Sequence, residues 1–301
     1  VFEEWMELNH ETYFASALPI DCPNGHYERM LQVADTLEGQ LLELVRQGRA
    51  RGNDRRDVLT ILLHARDSGF MTDAELVGQL HTLFNAAYHT TTSALTWTVF
   101  LLAQHPRVMR ELLAELHGHL HGQAPTNPQL ARMSLLDRVI KESMRLLPPV
   151  VYAPRVNMVP INLGPYHLPK GTMVVTSHYI THHMPELFPQ PERFLPDRWL
   201  HSNPSPYAYM PFGAGPRMCI GAPFATLMLK VAVAILFQRF RLSVVPGAQI
   251  DRQCTLTLGP RDGIPMTIWR QDRQFSTSPV QGNIHDMVHF PPYEERPAAA
   301  A

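Results

Sequence analysis

The stretch FGAGPRMCIG, residues 212–221, contains the strongest functional signal in the chain. Its cysteine, Cys219, lies in a glycine-rich loop, with Arg217 two residues before it and an apolar run of helical character, residues 223–240, after it. Glycines allow a backbone to adopt positive φ or to pass close to a flat ligand. Because the start of a helix favours the thiolate form of a nearby cysteine, this arrangement predicts one thiolate–metal bond. Arg217 keeps its charge and is shaped to bind a carboxylate through paired hydrogen bonds.

The pattern Phe-Gly-x-Gly-x-Arg-x-Cys-x-Gly resembles the haem-ligand loop of the cytochrome P450 family, and every diagnostic position is filled. The resemblance implies that Cys219 ligates the iron of haem b and donates electron density that favours O–O bond cleavage. It also implies that Phe212, Gly213 and Arg217 contact the cofactor. The alternative is a buried cysteine in an ordinary turn, against which the completeness of the pattern argues.

Composition narrows the class of protein. The chain has 301 residues, 45% of them hydrophobic, and a net charge of −1, so a large core is expected and nucleic acid is not an expected partner. Cys22, Cys219 and Cys254 lie far apart, which predicts neither a disulfide framework nor a zinc motif. No apolar run of membrane-span length and no signal peptide are recognised, which favours a cytoplasmic location. A membrane anchor in a preceding segment stays open.

Apolar residues at helical spacing predict that the first half of the chain is mostly helical. One helix is expected over residues 27–47, followed by a polar, glycine-containing connector over residues 46–56. Thr72 is a good N-cap because Glu75 follows three residues later. No proline interrupts the run that follows, so one long helix is expected over residues 73–105.

The middle of that long helix reads NAAYHTTT, residues 85–92. Ala86 and Thr90 share a helix face, where a small residue and a hydroxyl would let a flat ligand approach. The segment resembles the oxygen-binding helix of the family, although His89 stands where an acid is usual. The resemblance implies that Thr90, with His89 as a variant partner, relays protons. The alternatives are helix packing for the small residues and a solvent-channel or packing role for His89.

A second family motif lies in a predicted amphipathic helix over residues 135–147. Glu142 and Arg145 are three residues apart and share one helix face. Alone, such a pair predicts a weak surface ion pair. The pair resembles the Glu-x-x-Arg motif of the family, which binds an arginine of a later loop. That loop is identified with PERF, residues 191–194, so Arg193 is expected to complete a structural network that holds the cysteine loop.

Residues 155–181 alternate between β-type runs and turn signals, which predicts a small β region. Arg155 falls where the family often places a ligand of a haem propionate, and a surface cation on a strand is the equal alternative. The paired histidines at 182–183 are expected on the solvated surface.

These patterns together predict a mainly α protein with a small β region. The expected fold is the C-terminal two-thirds of a cytochrome P450, as a fragment or a truncated product, with a partial domain over residues 1–270. A loose tail is expected over residues 271–301, because that stretch is polar and proline-rich.

The function implied by the resemblance is a haem-thiolate monooxygenase that inserts one oxygen atom of O2 into a small apolar substrate. Electrons would come from a ferredoxin or a flavoprotein reductase, because the sequence has no flavin or iron–sulfur motif. The alternatives are a peroxide-driven haem enzyme, an inactive haem-binding remnant and an interaction protein without haem.

Overall fold

Helices make up most of the described protein. The computed structural model describes residues 1–15, 26–52, 56–255 and 257–292. The helices are α1 (Phe2–Ala15), α2 (His26–Ala50), α3 (Val58–Asp67), α4 (Asp73–Gln104), α5 (Pro106–Leu120), α6 (Asn127–Arg132), α7 (Ser134–Leu146), α8 (His178–His182) and α9 (Ala222–Arg239). Short 3₁₀ turns occupy Pro196–Leu200, Gly215–Arg217 and Asn283–Asp286. The mainly α fold is confirmed, and α4 ends one residue before the predicted end of the long helix.

Short strands form two-stranded sheets in the second part of the chain. The strands are β1 (Tyr152–Val156), β2 (Ile161–Leu163), β3 (Tyr166–Leu168), β4 (Met173–Ser177), β5 (Phe240–Val244), β6 (Ala248–Gln249), β7 (Arg252–Cys254), β8 (Leu258–Pro260), β9 (Met266–Arg270) and β10 (Val280–Gln281). The pairs β1–β4, β2–β3, β5–β9 and β7–β8 are antiparallel, whereas β6 and β10 run parallel. Strands β1–β4 form the predicted β region, and β5–β10 were not predicted.

The chain divides into two compact units, Val1–Tyr88 and His89–Ala301, with the boundary inside α4. The first unit contains α1, α2, α3 and the start of α4. Thr72 N donates to the Glu75 carboxylate (2.7 Å) and Glu75 N donates to the Thr72 hydroxyl (3.2 Å), so the predicted capping box is present. The partial domain expected over residues 1–270 stays a prediction. The apolar core of the first unit consists of Leu37, Leu41, Val45, Leu63, Leu76 and Leu80.

The connector after α2 begins later than predicted, because α2 continues through Ala50. A β-carbon placed on Gly48 would lie 2.7 Å from Leu59 Cδ2, an atom of α3. Gly48 therefore allows α2 and α3 to approach closely, and it does not break the helix. Residues 53–55 of the predicted connector lie outside the described residues.

The second unit is built around one large apolar core, to which the later part of α4 and helices α5, α7 and α9 contribute. Trp97 and Phe100 of α4 are fully buried there. The Trp97 indole N–H donates to the Leu258 carbonyl (2.9 Å), which fastens α4 to β8. This core fixes the helices that present the candidate site described below.

Helix α9 corrects one expectation from the sequence. It is long and apolar enough to cross a membrane by length and composition, whereas no run of that kind was expected. Leu229, Val233 and Phe237 of α9 are buried in the core of the second unit, and 22% of the helix is buried.

The loose tail expected from residue 271 is wrong for the described residues up to 292. Gln104 holds this segment through two hydrogen bonds, from its amide to the Ser278 carbonyl (2.9 Å) and from Ser278 N to its side-chain oxygen (2.9 Å). Ile284 and Val288 are fully buried in the core. The segment is therefore folded because a few apolar residues dock, although its average composition is polar. Residues 293–301 lie outside the described residues.

Candidate functional site

The cysteine loop is a tight, hydrogen-bonded turn that precedes α9. Cys219 N donates to the Phe212 carbonyl (2.9 Å), and Gly213 N donates to the Met210 carbonyl (3.0 Å). Gly213 and Gly215 have φ values of 73° and 71°, a region that favours glycine. The backbone therefore folds back on itself and leaves Cys219 at the end of a closed loop.

The thiol of Cys219 is free and exposed. Its neighbours in the chain are exposed apolar side chains, with Met218 at 58%, Ile220 at 94% and Phe224 at 63% exposure. Apolar side chains clustered around an exposed polar group are typical of a surface that a ligand or a partner covers. Arg217 is exposed in the same turn. Cys254 is also free and exposed, and Cys22 lies outside the described residues.

Glu142 of α7 is the centre of a buried polar network, and its side chain is 0% exposed. Its carboxylate accepts from Arg145 Nε (3.0 Å) and Arg145 Nη2 (3.0 Å), which is a bidentate contact. It also accepts from Arg198 Nε (2.8 Å), from Leu195 N (3.0 Å) and from the Trp199 indole N–H (3.0 Å). One carboxylate therefore joins α7 to the segment around the 3₁₀ turn at Pro196–Leu200.

The arginine that completes this network is Arg198, and the expectation for Arg193 is corrected. The Arg193 side chain is exposed and donates to Gln190 Oε1 (3.1 Å). Only its backbone carbonyl joins the network, accepting from Arg145 Nη2 (3.2 Å). Arg198 is nearly buried, and its remaining N–H groups donate to backbone carbonyls, including that of Pro189 (2.8 Å).

Helix α7 is held at its start by an acidic side chain that the sequence did not indicate. The Glu115 carboxylate accepts from Leu135 N (2.9 Å) and Leu136 N (2.9 Å). These N–H groups have no partner inside the helix, and a negative charge is favourable at a helix N-terminus. Glu115 thereby fixes the helix that carries Glu142 and Arg145.

His182 connects the network to the cysteine loop, and its expected place on the solvated surface is wrong. Its side chain is fully buried, whereas His183 is half-buried. Arg145 Nη1 donates to the His182 carbonyl (2.8 Å), and Met210 N donates to His182 Nε2 (2.9 Å). Burial, together with the nearby positive charge of Arg145, lowers the pKa of His182 to about 3. The imidazole is therefore neutral at physiological pH.

The other predicted site residues lie on α4 and β1. Ala86 is exposed on α4, and His89 and Thr90 are half-buried one turn further along. Arg155 is exposed on β1, where its Nη1 donates to the adjacent Pro154 carbonyl (2.7 Å). The assignments of these four residues to catalysis and cofactor binding stay predictions.

Known proteins resemble this chain over most of its length. The family model described as Cytochrome P450 matches residues 2–264. The chain belongs to the cytochrome P450 family. A solved structure of this family, retinoic acid-bound cyanobacterial CYP120A1, superposes with a TM-score of 0.81 at 30% sequence identity. The match covers 89% of this chain and 63% of the CYP120A1 chain.

Individual members of the cytochrome P450 family match as well. Cyclooctatin synthase from Streptomyces melanosporofaciens is 39% identical over a region that covers 70% of this chain and 48% of the length of the synthase. Cyclooctat-9-en-7-ol 5-monooxygenase of the same organism is 37% identical over 74% of this chain and 48% of its own. The chain thus spans about half the length of these two curated relatives.

Membership of the cytochrome P450 family implies a haem cofactor, and the residues around Cys219 fit one. Within the described ranges, no group of three or more His, Cys, Asp or Glu residues is placed to hold a metal ion. A single exposed cysteine suits an iron whose other ligands come from a macrocycle. The exposed apolar side chains beside it suit the apolar face of a porphyrin, and Arg217 suits a carboxylate at its edge.

Proposed function

We propose that this chain carries the haem-thiolate centre of a monooxygenase that uses haem b and inserts one oxygen atom of O2 into an apolar organic substrate. The observation that carries the proposal is the exposed Cys219 thiol at the end of a closed loop, flanked by exposed apolar side chains. One of the matching proteins supports the reaction class, because its name describes a monooxygenase of cyclooctat-9-en-7-ol.

Several residues of the chain are assigned to holding the cofactor. A bound haem supplies oxygen activation and one-electron chemistry. Cys219 would hold the haem iron through its sulfur, and Phe212 and Gly213 would line the loop beside the cofactor. Arg217 would pair with one propionate and Arg155 with the other. The buried Glu142 network keeps the loop in place, so that the thiolate stands at one fixed position.

Protons and electrons must both be delivered for the reaction to balance. One oxygen atom enters a C–H bond of the substrate and the other leaves as water, which consumes a pair of protons and a pair of electrons. We assign proton transfer to the Thr90 hydroxyl and the His89 imidazole, which are adjacent on α4. Ala86, one turn earlier on the same helix, is assigned to cofactor binding because its side chain is small. The electrons come from a ferredoxin or a flavoprotein reductase.

The spectrum of the reduced carbon monoxide complex tests the thiolate assignment. We expect the reconstituted chain to show a thiolate-type Soret band, and a Cys219→Ser variant to lose it. Cys254→Ser is the matched control, because Cys254 is the other exposed free thiol of the described residues, and this variant should keep the band. A wild-type chain without a thiolate-type band, or a Cys219→Ser variant that retains one, would contradict the proposal. Haem binding without turnover would identify an inactive haem-binding protein.

A peroxide-driven haem enzyme is the second candidate, and His89 is the observation that favours it. A histidine replaces the acid expected beside Thr90, and peroxide already carries the electrons and protons that the O2 reaction must receive. Product formed with hydrogen peroxide and no reductase would support this candidate. A His89→Glu variant should change the product formed per reducing equivalent, and an unchanged ratio would refute the proton relay.

A further inference from the structure

The contact between His182 and Met210 has a defined chemical direction. A backbone N–H can only donate, so His182 Nε2, which lies 2.9 Å from Met210 N, must be the unprotonated acceptor. The proton of the neutral imidazole then resides on Nδ1. Because burial strongly disfavours the charged form of this side chain, the acceptor is available throughout the physiological pH range.

Packing by itself does not explain a histidine at this position. The imidazole lies among aromatic rings, with centroids 6.2 Å from that of Phe188 and 5.4 Å from that of Tyr209. Its Nδ1 has no hydrogen-bond partner among the described residues. Burying a polar group costs free energy that an apolar ring of similar size would not cost. The acceptor on Nε2 is the one property of histidine that the surroundings use.

Short hydrogen bonds connect this contact with the candidate ligand. Arg145 Nη1 fixes the His182 backbone by donating to its carbonyl (2.8 Å). The Met210 carbonyl accepts from Gly213 N (3.0 Å), three residues further along the cysteine loop. The loop then closes when Cys219 N donates to the carbonyl of the residue before that glycine. Met210 is therefore the point at which the buried network holds the loop.

We propose that His182 is a positioning residue that anchors the start of the cysteine loop through the Met210 N–H, and that it thereby sets the position of Cys219. The consequence for the haem rests on the proposed function. The anchor itself is a contact within the chain, so it can be tested without cofactor.

The test compares side chains at position 182 in the full chain. His182→Phe keeps an aromatic ring of similar size and removes the acceptor. His182→Gln keeps an acceptor with a reach close to that of Nε2. His183→Gln is the neighbouring control, because His183 is half-buried and its Nδ1 lies 2.8 Å from the Tyr179 carbonyl, away from Met210.

Amide hydrogen exchange of Met210 in the haem-free protein is the first measurement. We expect exchange to accelerate by about tenfold in His182→Phe, the effect of losing one hydrogen bond, and to stay near the wild-type rate in His182→Gln and His183→Gln. The second measurement is haem affinity after reconstitution, which should fall severalfold in His182→Phe and recover in His182→Gln.

The outcomes separate the anchor from the proposed function. An unchanged Met210 exchange rate in His182→Phe would overturn the positioning role, whatever the haem spectra show. A faster rate in His182→Phe, together with a wild-type chain that forms no thiolate-type haem complex, would support the anchor and reject the proposed function. If His182→Phe does not fold, His182→Asn is measured instead. The asparagine side chain is too short for its oxygen to reach Met210 N. The same acceleration is then expected, and an unchanged rate again rejects the anchor.

Discussion

Replacing Glu142 by glutamine is the sharpest perturbation of the structure around the cysteine loop. The substitution keeps the shape of the side chain and removes its charge. Glu142 and Arg145 are both 0% exposed, and the Arg198 side chain is 8% exposed, so solvent cannot replace the lost carboxylate. Both guanidinium groups, those of Arg145 and Arg198, then lose the carboxylate with which they pair.

The magnitude follows from the donors around each oxygen. Glu142 Oε2 accepts from Arg145 Nε and from the Trp199 indole N–H, and both distances are 3.0 Å. An amide NH2 at that position would face two donors, so both hydrogen bonds are lost. A hydrogen bond to a charged group contributes about 1.5–3 kcal/mol. Breaking a buried ion pair by removing one partner costs about 3–5 kcal/mol, which agrees with the loss of two such bonds.

Urea unfolding of the haem-free chain, followed by far-ultraviolet circular dichroism, measures this loss. Asp197→Asn is the control, because Asp197 is a neighbouring acid that is 51% exposed and pairs with Arg138 (3.3 Å). An exposed pair contributes about 0–1 kcal/mol, so the control should stay close to wild type. Glu142→Gln should also fail to retain haem. A free energy of unfolding within about 1 kcal/mol of the control would refute the buried-network argument.

Three further predictions concern the same unit. Arg198→Ala should lower the free energy of unfolding by about 3–5 kcal/mol and Arg193→Ala by less than about 0.5 kcal/mol, because only the Arg198 side chain faces the buried carboxylate. Equal urea midpoints would show that Arg198 is not the arginine that completes the network. Glu115→Ala should cost about 1–2 kcal/mol through loss of the cap of α7, and an unchanged midpoint would count against that cap. Burial lowers the pKa of His105 to about 4 and that of His182 to about 3, from 6.5, so the unfolded chain binds more protons as the pH falls. The two neutral histidines therefore contribute fully to stability above pH 6.5 and less as the pH falls towards about 4. The urea midpoint should be lower at about pH 5 than at about pH 7, and a midpoint independent of pH would contradict this prediction.

The helices were predictable because their signals are local. The Thr72–Glu75 capping box located the start of α4, and the lack of proline before Pro106 located its end to within one residue. Strands β5 and β9 were missed because each has five residues and pairs with a segment more than twenty positions away. Short strands of that kind carry little periodicity, and their partners are set by the fold.

For the side chains of the site, too, local sequence predicted some features and missed those that depend on distant contacts. Arg193 and Arg198 are chemically identical and five residues apart, so no local rule selects the one that faces Glu142. The paired histidines suggested a solvated surface, yet His182 packs against the aromatic rings of Phe188, six residues later, and of Tyr209, which lies in a distant segment. Burial depends on which segments meet, and this depends on contacts between distant residues.

The sequence by itself determined the family and the mainly helical architecture and predicted Cys219 as the ligand, because residues close together in the chain encode each of these signals. The tertiary structure decided which arginine neutralises Glu142, how His182 reaches Met210 and why the segment up to residue 292 is folded. Each of these depends on charges and rings that come together only when distant segments pack, where low exposure makes an unpaired polar group costly. The cysteine loop depends on both, because its residue pattern is recognised in the sequence, whereas the hydrogen bond from Met210 N to His182 forms only in the fold.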